Sequence, residues 1–154
     1  MRLWHKELIK VLPRQQLIAQ WRELSAIVGN IKLKGTPNHL LVNPIMDYDF
    51  DHLITYASIV KSEMINRRYK VNEPVWEKII SLKFNFDLVS SDELFKDWHN
   101  SMYFHQCFFN LQEKYDRGGI LQEDYDRIVE VTRKHIFKPM YYYPDGSKKV
   151  WVAE

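Results

Sequence analysis

Apolar positions recur at helical spacing along most of the chain, and they set its predicted elements. Leu17, Trp21, Leu24 and Val28 fall at i, i+4, i+7 and i+11, one face of an α-helix. Pro13 suits the first helical position, where a missing N–H needs no partner. Lys32 and Lys34 suit the negative end of the helix dipole, and Gly35 is a fitting stop. The first helix is therefore expected over about 13–34. Ahead of it, Leu3, Trp4, Leu8 and Val11 can pin the first residues against the body. A loop follows over 36–49, broken by Pro37 and Pro44. Asp49 or Asp51 can cap a second helix carrying Leu53, Ala57, Val60 and Met64. That helix ends in a basic and aromatic run, Arg67-Arg68-Tyr69-Lys70.

Pro74 opens a shorter helix to about 83, and 84–89 reads as extended or irregular. Ser90 and Glu93 form a capping box. The helix they open is expected to pass Trp98 and run on through Phe104, Phe108, Leu111 and Tyr115 to the stop at Gly118-Gly119. A last helix is expected over 122–136, with Tyr125, Ile128, Val129 and Thr132 inward. In the tail, Pro144-Asp145-Gly146 is a turn signal between 140–143 and 148–152, which predicts a small hairpin. The fold class is all-α: a compact helical domain, 1–154, with a long first helix and an irregular or hairpin tail.

Composition narrows the functional classes. Aromatic residues make up 14% of the 154 residues, which favours an ordered fold. The single Cys107 excludes a disulfide framework and a cysteine zinc site, and it fits a reducing compartment, so the cytoplasm is expected. No run approaches the ~20 apolar residues of a membrane span. The six histidines include no pair at i, i+3 or i, i+4, so no metal site and no cofactor are expected. No glycine-rich phosphate loop and no nucleophile elbow occur.

Charge changes the picture more. The formal net charge is +2, but residues 1–71 hold eleven Lys/Arg against six Asp/Glu. Residues 72–154 hold eleven against fourteen, so the first half is basic and the second acidic. A basic half suggests a polyanionic partner met locally. Arg14, Arg22 and Lys32 are its candidate phosphate contacts. Arg22 and Glu23 sit side by side on the first helix, with the small Ala19 and Ala26 a turn before and after. Small residues there leave a shallow notch around a carboxylate and a guanidinium.

The run Gln16-Leu17-Ile18-Ala19-Gln20-Trp21-Arg22-Glu23-Leu24, with Gly29 behind it, resembles the first long helix of the pyrimidine-dimer DNA glycosylases of the phage endonuclease V type. The opening Met1-Arg2-Leu3-Trp4 resembles bacterial relatives of that group. The likeness covers roughly the first half of the chain. It implies a helical enzyme acting on damaged or modified double-stranded DNA, without cofactor, as a monomer. It implies that Glu23, in the Arg-Glu-Leu triplet, is the catalytic carboxylate and that the N-terminal α-amine, here of Met1, is the nucleophile. An α-amine titrates at about 7.7–8.0 and a lysine at about 10.4, so near neutrality an α-amine is the readier nucleophile. Lys6 and Lys10 are the competing amines. By the same resemblance, His39 in the loop and Tyr142 and Lys148 in the tail correspond to parts that approach DNA, as do Arg2 and Gln16 around the nucleophile.

The chain departs from the family pattern at three places. Residue 2 is the large Arg2, Gln16 stands where the family has a histidine, and Ala26 stands where it has an arginine. These bear on which lesion is read more than on DNA binding. A nucleic-acid-binding protein that kept the fold without the chemistry is the alternative, and a structural protein with no DNA role is a third.

Overall fold

A computed structural model gives the structure of residues 1–135 in full and the backbone of 140–142 and 148–150. A short 3-10 helix, Lys6–Val11, leads into α1 (Arg14–Lys34). A second 3-10 turn, Asn43–Asp47, precedes α2 (Phe50–Asn66), followed by α3 (Glu73–Ile80), α4 (Ser101–Asp116) and α5 (Gln122–Thr132). Two three-residue strands, β1 (Met140–Tyr142) and β2 (Lys148–Val150), pair antiparallel with Met140 opposite Val150. The fold is all-α with a minimal terminal hairpin. The predicted turn at 144–146 lies outside the described residues.

The helix α1 forms as its pattern predicts. Leu17, Trp21, Leu24 and Val28 are all buried, together with Ile27 and Ile31. Pro13 stands one residue earlier than expected, in extended conformation at the cap, and Gly35 closes the helix with φ of 77°, a left-handed conformation that glycine adopts without a Cβ penalty. The apolar face of α1 packs on α2 and α3, while α4 pairs with α5. The 3-10 helix Lys6–Val11 lies against both α2 and α5, so the first residues are held between the two halves of the chain. Gly29 lets α3 approach closely: Lys78 crosses it to donate to the Ser25 carbonyl at 2.7 Å, where a Cβ on Gly29 would meet the Lys78 ammonium at 3.0 Å.

Three boundaries differ from expectation. The capping box at Ser90 makes only a local turn, with Leu94 N–H donating to the Ser90 carbonyl at 2.9 Å. Phe95 then takes φ of 49°, which breaks the helical path and drives its ring into the core against Tyr48 and Trp98. The helix begins only at Ser101, capped by the Asn100 side chain accepting from Tyr103 N–H. At its other side, α3 ends at Ile80 rather than near 83, because Leu82 and Lys83 close tighter turns onto Ile79 and Ile80. Lys83 meanwhile bridges Asp49 and Asp51, at 2.8 Å each, at the start of α2. Asp49 is the cap of that helix, accepting from Asp51 N–H at 2.9 Å. Helix α5 ends at Thr132, short of 136, which itself lies outside the described residues.

The basic run after α2 is structural in part. The Arg67 guanidinium donates to the carbonyls of Leu12 at 2.6 Å and Lys10 at 2.9 Å, and pairs with Glu63 at 2.7 Å. It thereby satisfies carbonyls at the end of the 3-10 helix and fastens the N-terminal segment to α2. No helix among the described residues is long and apolar enough to cross a membrane.

Candidate active site

The exposed side of α1 forms one wall of a cavity of about 600 Å³ lined by Met1, Arg2, Gln16, Ala19, Arg22 and Glu23, among others. Five sequence-predicted site residues, Met1, Arg2, Gln16, Arg22 and Glu23, thus meet in one place. Gln16, Ala19 and Glu23 recur at i, i+3 and i+7, which puts them on one helix face. Ala19 supplies the predicted notch, while Ala26 lies beyond the lining residues and is exposed. The volume falls within the about 300–1,000 Å³ of pockets that enclose a small ligand.

The opposite wall comes from α4, with Asn110 and Lys114, and from Leu41 of the loop. These the sequence did not reveal. Lys114 falls between Leu111 and Tyr115 of a helical stripe and reads as an ordinary solvated lysine. Arg2, Arg22 and Lys114 bring three cations to the cavity against the single carboxylate of Glu23. Among the described residues none of Arg22, Glu23 and Lys114 has a side-chain hydrogen bond or ion pair within the protein. Gln16 contributes a buried Oε1 that also lacks a partner among them. The arrangement can hold an anion beside a carboxylate.

The N-terminal segment that carries Met1 is fixed by side chains that no motif in the sequence marks. The buried Gln20 accepts from Trp4 N–H at 2.9 Å and donates to the Arg2 carbonyl at 3.0 Å. The Tyr56 hydroxyl lies 2.7 Å from the Trp4 carbonyl and 2.8 Å from Gln20 Oε1. Tyr103 donates to the Leu3 carbonyl. Burial pushes the Tyr56 phenol well above its ordinary range, with the nearby Tyr103, Cys107 and Glu23 adding to the shift, so it stays a donor. Arg2 itself packs its guanidinium over the Trp4 ring at 5.4 Å and 4.0 Å from the Cys107 sulfur. The only signal for Gln20 was its position on the apolar face, between Leu17 and Leu24.

The other predicted residues lie apart from this cavity. Lys6 donates to the carbonyls of Ser91 at 2.6 Å and Leu94 at 2.7 Å, and with Lys10 it lines a separate cavity. Arg14 stacks over the Tyr69 ring at 5.2 Å. Lys32, about 13 Å along α1 from Glu23 by helical rise, bonds the Ser81 hydroxyl. His39 organises its own loop: its Nδ1 accepts from Leu41 N–H at 3.3 Å, and its carbonyl accepts from Val42 and Asn43. Leu41, two residues on, does reach the cavity. Tyr142 and Lys148 face each other across the strand pair, and their side chains lie outside the described residues.

The helical fold thus brings a carboxylate, two arginines and Met1 to one cavity. Residues 1–77 match the family model for pyrimidine dimer DNA glycosylase, and the chain belongs to that family. Its function is accordingly of the DNA glycosylase kind, with DNA as substrate. No curated protein and no solved structure matches the chain.

Proposed function

We propose that the chain is a DNA glycosylase with abasic-site lyase activity, in which the α-amine of Met1 is the nucleophile and Glu23 the catalytic carboxylate. The observation that carries this reading is the shared cavity of Met1 and Glu23, from which Lys6 and Lys10 are absent. The neutral amine attacks C1′ of the damaged nucleotide. The new N–C bond forms as the glycosidic bond breaks, and its electron pair leaves with the base. Loss of a proton from nitrogen and opening of the sugar give the Schiff base. Glu23 stabilises the positive charge that develops on the sugar, then takes the C2′ proton that β-elimination requires.

The cations around Glu23 hold the flanking phosphates, with Arg22 suited to a bidentate contact. The substrate is double-stranded DNA carrying a damaged or modified base, which leaves the stack to reach the cavity. Gln16, whose buried Oε1 has no partner among the described residues, is assigned to accept an N–H from that base. Arg14, Lys32, His39, Tyr142 and Lys148 are assigned to the duplex on either side. Residues beyond the family match belong to the same working unit, because Asn110 and Lys114 close the cavity. The free, buried Cys107 agrees with work in the cytoplasm.

Borohydride trapping on a duplex with one abasic site, followed by peptide mapping, tests the reading. The expected cross-link is on Met1, and acetylation of the terminus should abolish it. Lys114 is the rival amine in the cavity, so Lys114→Ala should still trap. A cross-link on Lys114, or full trapping after acetylation, overturns the assignment of the nucleophile. DNA binding without any trapping would leave a binding protein that kept the fold.

A further inference from the structure

We propose that Gln20 is a positioning residue for the reaction: it sets the distance between the N-terminal amine and Glu23. The inference rests on the amine mechanism above. Residues 2–4 have no regular secondary structure, so their backbone groups need partners from elsewhere. Gln20 supplies two of them, binding the Arg2 carbonyl with its Nε2 and the Trp4 N–H with its Oε1. Tyr56 and Tyr103 take the carbonyls of Trp4 and Leu3. Of these three side chains only Gln20 comes from α1, the helix that also carries Glu23.

Gln20 and Glu23 are three residues apart, about 4.5 Å of helical rise. The amide that grips the Arg2 carbonyl and the proposed catalytic carboxylate therefore move as one rigid turn. Only the Arg2 Cα, the Met1–Arg2 peptide and the Met1 Cα lie between the gripped Arg2 carbonyl and the amine, so the nucleophile has a short tether. A terminus held by α2 and α4 alone would inherit every small shift of those helices against α1. Gripping it from α1 removes that variation. Gln20 is fully buried, and nothing about packing requires a polar side chain there, since Leu17, Trp21 and Leu24 around it are apolar. Tyr56 completes the grip: its single proton lies between the Trp4 carbonyl and Gln20 Oε1, which fixes the amide orientation. Small misplacements of reacting groups are expensive in rate, about a hundredfold for an ångström.

The test uses Gln20→Met, which nearly conserves volume, and Tyr56→Phe, which removes only the hydroxyl. Three quantities are measured on the full chain: the trapping rate at saturating abasic duplex, the dissociation constant for that duplex without borohydride, and hydrogen exchange at the Trp4 amide. In Gln20→Met, Trp4 exchange should accelerate at least about tenfold and trapping should slow by about 10- to 100-fold, with the dissociation constant within about twofold of wild type. Tyr56→Phe should show a smaller loss of the same kind. A merely structural role would lower binding and trapping together. Trapping within twofold of wild type in both variants, or losses that follow the dissociation constant, overturns the proposal. Wild-type protein that does not trap at all removes the amine mechanism and the positioning role with it, whereas unchanged Trp4 exchange removes the grip alone.

Discussion

Glu23 is half-buried on the cavity wall and has no hydrogen bond or ion pair among the described residues, so a substrate meets a carboxylate that is not already neutralised. That is the setting in which removing one charge acts on rate more than on fold. Glu23→Gln is expected to keep the melting temperature and the affinity for duplex DNA and to lower base excision by roughly 10²–10³-fold. Single-turnover release of base, measured beside a binding isotherm, checks it; excision at the wild-type rate would make Glu23 a surface residue. Arg22 and Glu23 were singled out by the family resemblance, with Ala19 a turn before them, and all three line the cavity. Lys114 was not, because its partners in the cavity come from the far end of the chain and no local pattern distinguishes it from a solvated lysine. Gln20 lay between these cases: a glutamine on an apolar stripe signals a buried polar group, but not which backbone it will hold.

Elements follow the sequence where the signal is local and periodic, as in α1 and α2, and depart from it where a distant contact wins. The capping box at Ser90 is a sound local signal, and it does make a turn. Burial of Phe95 among Tyr48, Tyr56 and His99 then outweighs continuation, at the expense of a left-handed backbone angle. The end of α2 teaches the same lesson through charge. A basic helix terminus reads as dipole compensation or phosphate contact, yet Arg67 turns inward to the carbonyls of Leu12 and Lys10. Arg67→Ala should therefore destabilise the protein, by about 1.5–3 kcal/mol for lost charge-assisted bonds to backbone, while leaving DNA affinity nearly intact. Urea unfolding and a salt titration of DNA binding separate the two effects. A variant that unfolds like wild type but binds DNA with a shallower salt dependence would make Arg67 a phosphate contact instead.

At the scale of the whole molecule, the two halves are joined at a cluster of buried imidazoles that periodicity cannot reveal. His5 stacks on His99 at 5.1 Å and donates through Nε2 to the His99 carbonyl at 2.8 Å, while its Nδ1 accepts from Glu7 N–H at 3.2 Å. His99 Nδ1 accepts from Lys6 N–H at 3.0 Å, which places its proton on Nε2, buried without a partner among the described residues. Both rings are thus held neutral. Burial lowers His5 from its ordinary 6.5 to about 4, with the backbone bond to His99 and the Glu7 charge opposing, and His135 and Lys6 assisting. Burial lowers His99 to about 2, with His5 and Lys6 adding to the shift. A depressed folded-state value means that the unfolded chain binds the extra protons as pH falls below about 6.5. Stability should therefore be full above that pH and fall as acid is added, toward pH 4 for His5 and beyond it for His99. Between the unfolded and folded values the slope approaches about 1.4 kcal/mol per pH unit for each ring. Carboxylates such as Asp49, also depressed by its bonds to Lys83, add their loss only below their ordinary 3.8. Urea midpoints measured from pH 7.5 to 4.5 should fall steadily, and His5→Gln should be less stable at pH 7.5 but show a flatter decline. A wild-type midpoint that stays level over that range would mean that the rings take up protons in the folded state. The seam between the N-terminal segment and the turn before α4 would then be open to water, and the terminus that carries Met1 would be less firmly held than its hydrogen bonds indicate.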